Sequence, residues 1–282
     1  KTWGDRHSLT GTVNDKHFKA QGILYDNKLL KKLAPGAAMP EEKVRRYLYQ
    51  IAGFIPMPAE PEWPYGQAAT TDKNISQERW GWDYNYGNGL PGGMYHLGRL
   101  TGDKMLKRKG IQMQQAMSRF WKLTNDKEGY RAITIETVIS TRLHPFTDPK
   151  SRRGVNTLGQ AVFMPCPANI RRAHLYLESN KIYRDVLNRD LGLGRLVDIT
   201  GNYLKVKDMP TEYRLPTEKG QPDFVFSDED TGTIAMKHGD RKVYLDLWRA
   251  MSRGAVTGNV IIHYTTPIID RIAVVKQEPE LE

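Results

Sequence analysis

The sequence predicts an α+β fold in which a helical domain, residues 1–195, is followed by an antiparallel β domain, residues 196–282. Before residue 192 the apolar residues recur mainly at intervals of three and four, the period of a helix with one buried face. After residue 195 they alternate with a period of two, as in a strand with one covered face. A chain of 282 residues can bury one large core or two moderate ones.

The first clear helix is predicted to begin at Pro40. Proline suits the first helical position, and Glu41 and Glu42 place negative charge in the first turn, where the helix dipole favours it. Apolar residues at helical spacing extend the pattern to Ile51. Prolines between residues 56 and 64 then exclude regular structure.

A pair of helices is predicted on either side of Thr101-Gly102-Asp103. The first covers about residues 94–100 and the second about Lys104 to Leu123. Gly102 can end one helix and Asp103 can cap the next. A joint of three residues makes the two helices antiparallel neighbours.

The later helices and strands are predicted from the same two spacings of apolar residues, the helical one and the alternating one. Residues 130–140 fit either a strand or a buried helix, and helices are expected over about 168–178 and 181–191. The sequence His238-Gly239-Asp240 is expected to join two strands as a hairpin. The predicted strands are Leu196–Thr200, Tyr203–Lys207, Phe224–Ser227, Gly232–Lys237, Lys242–Arg249, Asn259–Tyr264 and Ile268–Val275.

The composition is that of a globular protein without a membrane span. Hydrophobic residues make up 39% and charged residues 26%, and no apolar run approaches the ~18 residues that a spanning helix needs. The first residues contain no apolar signal region, so we expect a signal peptide that was removed or lies outside this sequence, and a secreted or periplasmic protein. The single cysteine, Cys166, excludes an internal disulfide and is interpreted as a buried structural thiol.

The net charge of +10 favours a polyanionic partner, either acidic polysaccharide or nucleic acid. The sequence has no basic tail, zinc-finger signature or RNP signature, which makes nucleic acid the unlikely choice of the two. The basic residues cluster at Lys104–Lys109, Lys150–Arg153 and Arg171–Arg172. A solvated basic surface without a partner is the alternative interpretation.

The strongest candidate site is the aromatic and amide segment just before the predicted helix pair. Its rings can stack on the C–H faces of sugars, and its amides can hydrogen-bond hydroxyl or carboxylate groups. We predict proton transfer by Tyr84, Tyr86 or His96. The residues predicted to bind substrate are Trp80, Trp82, Asn85 and Asn88. The alternative is that the two tryptophans are core residues and the Gly/Asn run is only a turn.

A second cluster contains groups that bind carboxylates. Arg142, His144 and Arg152 are predicted to contact the substrate, because guanidinium groups grip carboxylates in a bidentate fashion. The alternative is a solvated basic loop. Asp83 and Glu136 would supply the carboxylate pair of a glycoside hydrolase, although no spacing argument brings them together.

No cofactor and no metal site are expected. The sequence lacks a phosphate-binding glycine loop, a His-Glu-x-x-His motif and a cysteine cluster, and its seven histidines are dispersed. A divalent cation held by oxygen ligands stays open, because such ligands leave weak traces in a sequence.

Two stretches resemble a known superfamily. Arg79-Trp-Gly-Trp-Asp-Tyr84, leading into Gly92-Gly-Met-Tyr-His-Leu97 and the Thr-Gly-Asp joint, resembles helical hairpins of the (α/α) toroid polysaccharide lyases and six-hairpin glycosidases. The stretch from His238-Gly-Asp240 to His263-Tyr-Thr-Thr-Pro resembles the β-sheet domain that follows the toroid in heparinase-like proteins. The resemblance implies a partial α/α toroid, then a β-sandwich-like domain. Since a complete toroid needs more hairpins, it also implies the C-terminal part of a longer protein.

The same resemblance implies a polysaccharide lyase that cleaves a uronic-acid-containing glycan by β-elimination. In such a reaction a base removes the C5 proton, basic or amide groups neutralise the neighbouring carboxylate, and a tyrosine or histidine protonates the leaving oxygen. Two alternatives remain open: a glycoside hydrolase of the same superfamily, and a non-catalytic glycan-binding or structural protein.

Overall fold

The computed structural model describes residues 26–55, 70–76, 89–125, 131–135, 155–178, 193–230, 233–246, 258–265 and 270–277. Within these ranges the chain combines helices, the last of which ends at Val206, with an antiparallel sheet that begins at Phe224. The predicted α+β class is confirmed at this level. No helix in the described ranges is both long and apolar enough to cross a membrane.

The helices that begin at Glu41, Lys104 and Pro167 start close to where their caps and prolines predict. The helix predicted from about residue 94 instead begins at Gly89 and includes Pro91, which the first turn of a helix tolerates. Residues 26–33 are helical, and a 3-10 turn follows at Pro35–Ala37. The helices predicted from Pro40 and over residues 168–178 are confirmed, whereas residues 181–191 lie outside the described ranges. The longer helices are α1 (Glu41–Ile51), α2 (Gly89–Thr101), α3 (Lys104–Met117), α4 (Val155–Phe163), α5 (Pro167–Glu178) and α6 (Leu193–Val206).

Helices α2 and α3 form the predicted hairpin. Gly102 follows α2 with a φ of 73°, which glycine adopts without steric cost. The side chain of Asp103 caps α3 by accepting hydrogen bonds from the backbone amides of Met105 and Leu106, at 2.8 and 3.2 Å. The short joint is therefore fixed by the two residues that the sequence singled out.

The prediction that α3 reaches Leu123 is wrong. The helix ends at Met117, a 3-10 turn covers Ser118–Phe120, and strand β1 (Trp121–Asn125) pairs antiparallel with β2 (Arg131–Ile135). Pairing with the β-branched strand β2 replaces the last helical turns. The described part of residues 130–140 is thus a strand, the first of the two predicted alternatives.

Replacing Asp103 with alanine is expected to destabilise the protein by about 1–2 kcal/mol, because the variant loses the cap of α3. It also removes the acceptor of the Tyr49 hydroxyl, which donates to Asp103 Oδ2 at 2.7 Å. Unfolding in urea measures the change in free energy. Asp103→Asn is the comparison, since asparagine caps about as well as aspartate. Equal losses in both variants would contradict a capping role.

The sheet at the end of the chain is a meander. Each strand pairs antiparallel with the next, and the Gly239-Asp240 turn joins two of them in the register His238↔Arg241, with Gly239 at a φ of 58°. The strands are β3 (Phe224–Asp228), β4 (Thr233–His238), β5 (Arg241–Asp246), β6 (Gly258–Thr265) and β7 (Asp270–Gln277). These confirm the five later predicted strands wherever their residues are described.

The two strands predicted over residues 196–200 and 203–207 are wrong, because this stretch lies in α6 and the turn that follows it. Ile199 and Val206 are buried against α4 and α5, seven positions apart, whereas Val197 and Leu204 are exposed. This is the spacing of one helix face, which a period-two interpretation misses. The predicted division at residue 195 falls inside α6, and the division into two domains stays a prediction.

Three clusters of buried apolar side chains form the described core. One packs α1 against α2 and α3, and a second packs α4, α5 and α6 together. The third joins helices to the sheet, where the rings of Phe120 and Phe226 meet edge to face with centroids 6.1 Å apart. Cys166 is buried in this third cluster, where burial raises the pKa of its thiol. Its predicted burial is confirmed.

Candidate functional site

Most of the predicted site lies outside the described residues. This holds for the aromatic and amide segment, for the carboxylate-binding cluster and for the carboxylate pair of the hydrolase alternative. These residues are Trp80, Trp82, Asp83, Tyr84, Asn85, Tyr86, Asn88, Glu136, Arg142, His144 and Arg152. His96 is described, so the known geometry of this site is the geometry around its ring.

His96 lies in the middle of α2 and is half-buried. Its ring centroid is 5.5 Å from that of Phe163 at the end of α4, and the two planes are tilted by 37°. The Nδ1 atom of His96 is buried and has no hydrogen-bond partner within the described part of the chain. A buried polar atom without a partner costs about 1–3 kcal/mol. This nitrogen is therefore a polar group that the described residues leave without a hydrogen bond.

The face of α2 that carries His96 is opposite its core face. Gly92 lies one turn earlier and has no side chain, so the ring of Phe163 packs close to the backbone there; an added Cβ would stand 3.7 Å from Phe163 Cε1. Met94 belongs to the cluster that packs on α1. Because His96 is two positions further, it projects about 200° away from Met94 around the helix. His96 thus faces α4, while the core of the hairpin faces α1.

The predicted basic cluster Arg171–Arg172 does not form a basic surface. Both side chains are buried. Arg171 donates from Nε and Nη2 to the two carboxylate oxygens of Glu218, at 2.9 and 2.6 Å. The guanidinium of Arg172 lies 4.9 Å from the ring centroid of Trp121. These arginines contact buried side chains of the core and do not contribute an exposed basic surface.

One lysine of the basic cluster on α3 is also buried. Lys109 directs Nζ toward the carbonyl oxygen of Thr71, 3.4 Å away, and lies 5.8 Å from the ring centroid of Phe54. Burial lowers the pKa of Lys109. The exposed basic residues of the cluster are Lys104, Lys107 and Arg108. The predicted basic surface is accordingly smaller than the sequence indicates.

A second location, which sequence reasoning missed, is a cleft of about 570 Å³ at the hairpin joint. We call it the joint cleft. Three segments surround it: the helical residues 26–33, one face of α1, and the α2–α3 joint. Its lining residues are Asn27, Lys28, Lys31, Glu41, Val44, Arg45, Leu48, Tyr49 and Leu100–Leu106. The sequence did contain one signal for this cleft. Arg45 and Tyr49 are four positions apart and therefore share one face of the helix predicted from Pro40.

A short chain of hydrogen bonds orders one wall of the joint cleft. Arg45 Nη2 donates to the Tyr49 hydroxyl at 3.0 Å, and that hydroxyl donates to Asp103 Oδ2 at 2.7 Å. Burial alone would raise the pKa of Asp103, but the Tyr49 hydroxyl, the amides that it caps and the charge of Arg45 together lower it. Asp103 is therefore an ionised carboxylate, and both of its oxygens already accept hydrogen bonds within the protein.

Asn27 fixes the opposite wall. Its amide nitrogen donates to the carbonyl oxygen of Met39 at 3.0 Å, and its Oδ1 accepts from the Met39 amide at 2.6 Å. This pair of bonds holds residues 26–33 beside the start of α1.

Across the described ranges, no three His, Cys, Asp or Glu side chains are grouped so as to hold a metal ion. Comparison with known proteins gave no match: no family model, no curated protein and no solved structure matches the chain.

Proposed function

We propose that the chain is a carbohydrate-active enzyme, a polysaccharide lyase that cleaves an acidic, uronic-acid-containing glycan by β-elimination. The observation that carries the proposal is the Nδ1 atom of His96, buried without a partner in the described residues. His96 stands about two turns into α2. The helix begins at Gly89, directly after the Trp, Tyr and Asn segment with its sugar-stacking composition.

β-Elimination needs side chains that remove and deliver protons and groups that neutralise the substrate carboxylate. The C5–H bond and the C4–O bond break, a C4=C5 double bond forms, and the leaving oxygen takes up a proton. We assign proton transfer to the imidazole of His96 together with Tyr84 or Tyr86. Asn85, Asn88, Arg142 or Arg152 would neutralise the carboxylate next to C5, which acidifies the C5 proton. The net charge of +10 favours an acidic glycan over a neutral one.

We also propose that the helices belong to a partial α/α toroid, that the sheet belongs to a sandwich-like domain, and that the protein is secreted or periplasmic. The order of the parts supports the proposed architecture: the antiparallel α2–α3 hairpin comes first and the antiparallel meander β3–β7 follows it. The proposed export rests on the resemblance alone. A crystal structure of the protein would test the architecture: a second sheet packed on β3–β7 would support the sandwich, and a single uncovered sheet would contradict it.

The assignment of His96 is tested by His96→Ala, assayed on polygalacturonate, alginate and hyaluronate. We expect the wild type to release an unsaturated product, followed by its ultraviolet absorbance, and the variant to lose about 100-fold in kcat. His174→Ala is the matched control. His174 is likewise half-buried on a helix, but its Nε2 lies 3.2 Å from the carbonyl oxygen of Met209. It should keep most of the activity.

The remaining outcomes separate the alternatives. Added imidazole should partly restore turnover by His96→Ala if the ring transfers a proton, and should do nothing if the ring is only packed. New reducing ends without ultraviolet absorbance would identify a hydrolase. Saturable binding of a glycan with no product over long incubation would identify a non-catalytic glycan-binding protein. Either of the last two results would overturn the lyase proposal.

A further inference from the structure

We propose that the joint cleft binds a small organic anion in which a carboxylate or phosphate head group is joined to an apolar body. This site is separate from the one around His96, because the cleft lies on the α1 side of the hairpin and His96 faces α4. The inference therefore does not depend on the lyase proposal. It is carried by the charge, the lining and the size of the cleft.

The charge of the cleft is positive. Among the described residues, its lining contains the cationic side chains of Lys28, Lys31, Arg45 and Lys104 and only two carboxylates. Glu41 is paired with Lys31 at 3.6 Å on the exposed rim. The other carboxylate is the engaged Asp103. The cleft thus keeps a net positive charge that an anion of one or two charges would balance.

The cations that remain have no carboxylate partner within 4.0 Å, apart from Asp103 beside Arg45, in the described part of the chain. Lys28 and Lys104 are exposed and form no ion pair with another described residue. The guanidinium of Arg45 is held in place by Tyr49, with its Nε 4.0 Å from Asp103 Oδ2 and its side chain 66% exposed. A guanidinium already fixed in one orientation loses little freedom when it grips a planar carboxylate or a phosphate.

The floor of the cleft is apolar. Val44, Leu48 and Leu106 come from the core beneath it, and Met105 is 52% exposed at its edge. The volume of about 570 Å³ lies within the range of small-molecule sites, which are apolar concavities with a few placed polar groups. An inorganic anion without an apolar part would leave these apolar side chains in contact with water. A ligand with an apolar part covers them and gains hydrophobic free energy.

Calorimetric titration of the full chain with octanoate, octyl phosphate and neutral octyl glucoside tests the proposal. We expect saturable binding of at least one of the anions, weaker at higher salt, and no binding of the glucoside. The stronger anion identifies the head group. Arg45→Gln should raise the dissociation constant of that anion about tenfold, because a charge-assisted hydrogen bond is lost.

Arg46→Gln is the matched control. It removes the same charge from the neighbouring, exposed position of α1, which does not line the cleft. It should leave the dissociation constant within about twofold, since screened charges at a distance contribute little. Circular dichroism of each variant checks that the fold is intact. Three results would each overturn the proposal: no saturable binding of either anion, equal binding of the glucoside, or equal weakening by the two arginine variants.

Discussion

Replacing Gly110 with alanine is expected to destabilise the protein by about 3 kcal/mol or more. Gly110 lies where α3 crosses α2, and an added methyl would come within 2.7 Å of the backbone nitrogen of Tyr95 and closer still to the carbonyl oxygen of Pro91. Backbone atoms cannot rotate out of the way, so the two helices would have to move apart. That movement loosens the contact in which Met94 and Met113 are completely buried. The better helix propensity of alanine offsets only about 1 kcal/mol.

The measurement is urea unfolding of Gly110→Ala beside two other glycine variants. Gly98→Ala should behave in the same way, because its methyl would come within 2.8 Å of the carbonyl oxygen of Asp103. Gly201→Ala is the control: it lies in α6 with no atom within 4 Å of the added Cβ, so only propensity acts and stability should rise by up to about 1 kcal/mol. A Gly110→Ala protein as stable as the wild type would contradict the close crossing of α2 and α3.

The elements that the sequence predicted well are those whose signals are local. Gly102 and Asp103 define the hairpin joint by their own backbone and side-chain chemistry, and Gly239 does the same for the β4–β5 turn. The end of α3 and the start of α6 depend instead on what packs against them. A partner strand replaces helix after Met117, and α4 and α5 select the buried face of α6. The sequence near Met117 does not show its partner strand, and in α6 the helical spacing of Ile199 and Val206 stands beside a period-two alternation that is equally local.

The same distinction applies to the site residues. His96 was predicted as a proton-transfer residue from its residue type and its neighbours in the sequence. Its orientation toward Phe163 depends instead on how α4 packs on α2. The joint cleft combines residues 26–33, α1 and the hairpin joint, which are far apart in the sequence. The sequence groups Arg171 and Arg172 as a basic cluster because they are adjacent. It cannot show that the fold brings Glu218 to the first and Trp121 to the second.

Replacing Glu218 with glutamine is expected to cost about 3 kcal/mol of stability at neutral pH, because a buried arginine is left without its main counter-charge. Both carboxylate oxygens of Glu218 receive hydrogen bonds from Arg171, and Oε1 also accepts from the Leu215 amide at 2.7 Å. The side chains of this pair are only 7% and 10% exposed. Glu178, the other partner of Arg171, is 47% exposed and compensates little.

The loss should depend on pH in a defined direction. Burial alone would raise the pKa of Glu218, but the hydrogen bonds from Arg171 and Leu215 and the charges of Arg171 and Arg214 together lower it. Because the folded-state pKa is lowered, this carboxylate stabilises the protein fully above its ordinary pKa of 4.5 and loses that contribution as the pH falls through the lowered value. Glutamine does not titrate, so the stability gap between wild type and Glu218→Gln should narrow as the pH falls below about 4.5.

Denaturant unfolding of both proteins between neutral and acidic pH measures this gap. Glu212→Gln is the control, because Glu212 lies in the same loop, is exposed and should change stability by no more than about 0.5 kcal/mol at any pH. If the gap between wild type and Glu218→Gln stays constant down to acidic pH, the ionised carboxylate is not what stabilises the buried Arg171. A second result would also contradict the prediction: a loss of stability in Glu218→Gln at neutral pH no larger than that in Glu212→Gln. Arg171 and Glu218 would then be neighbours whose ion pair adds nothing to the free energy of unfolding.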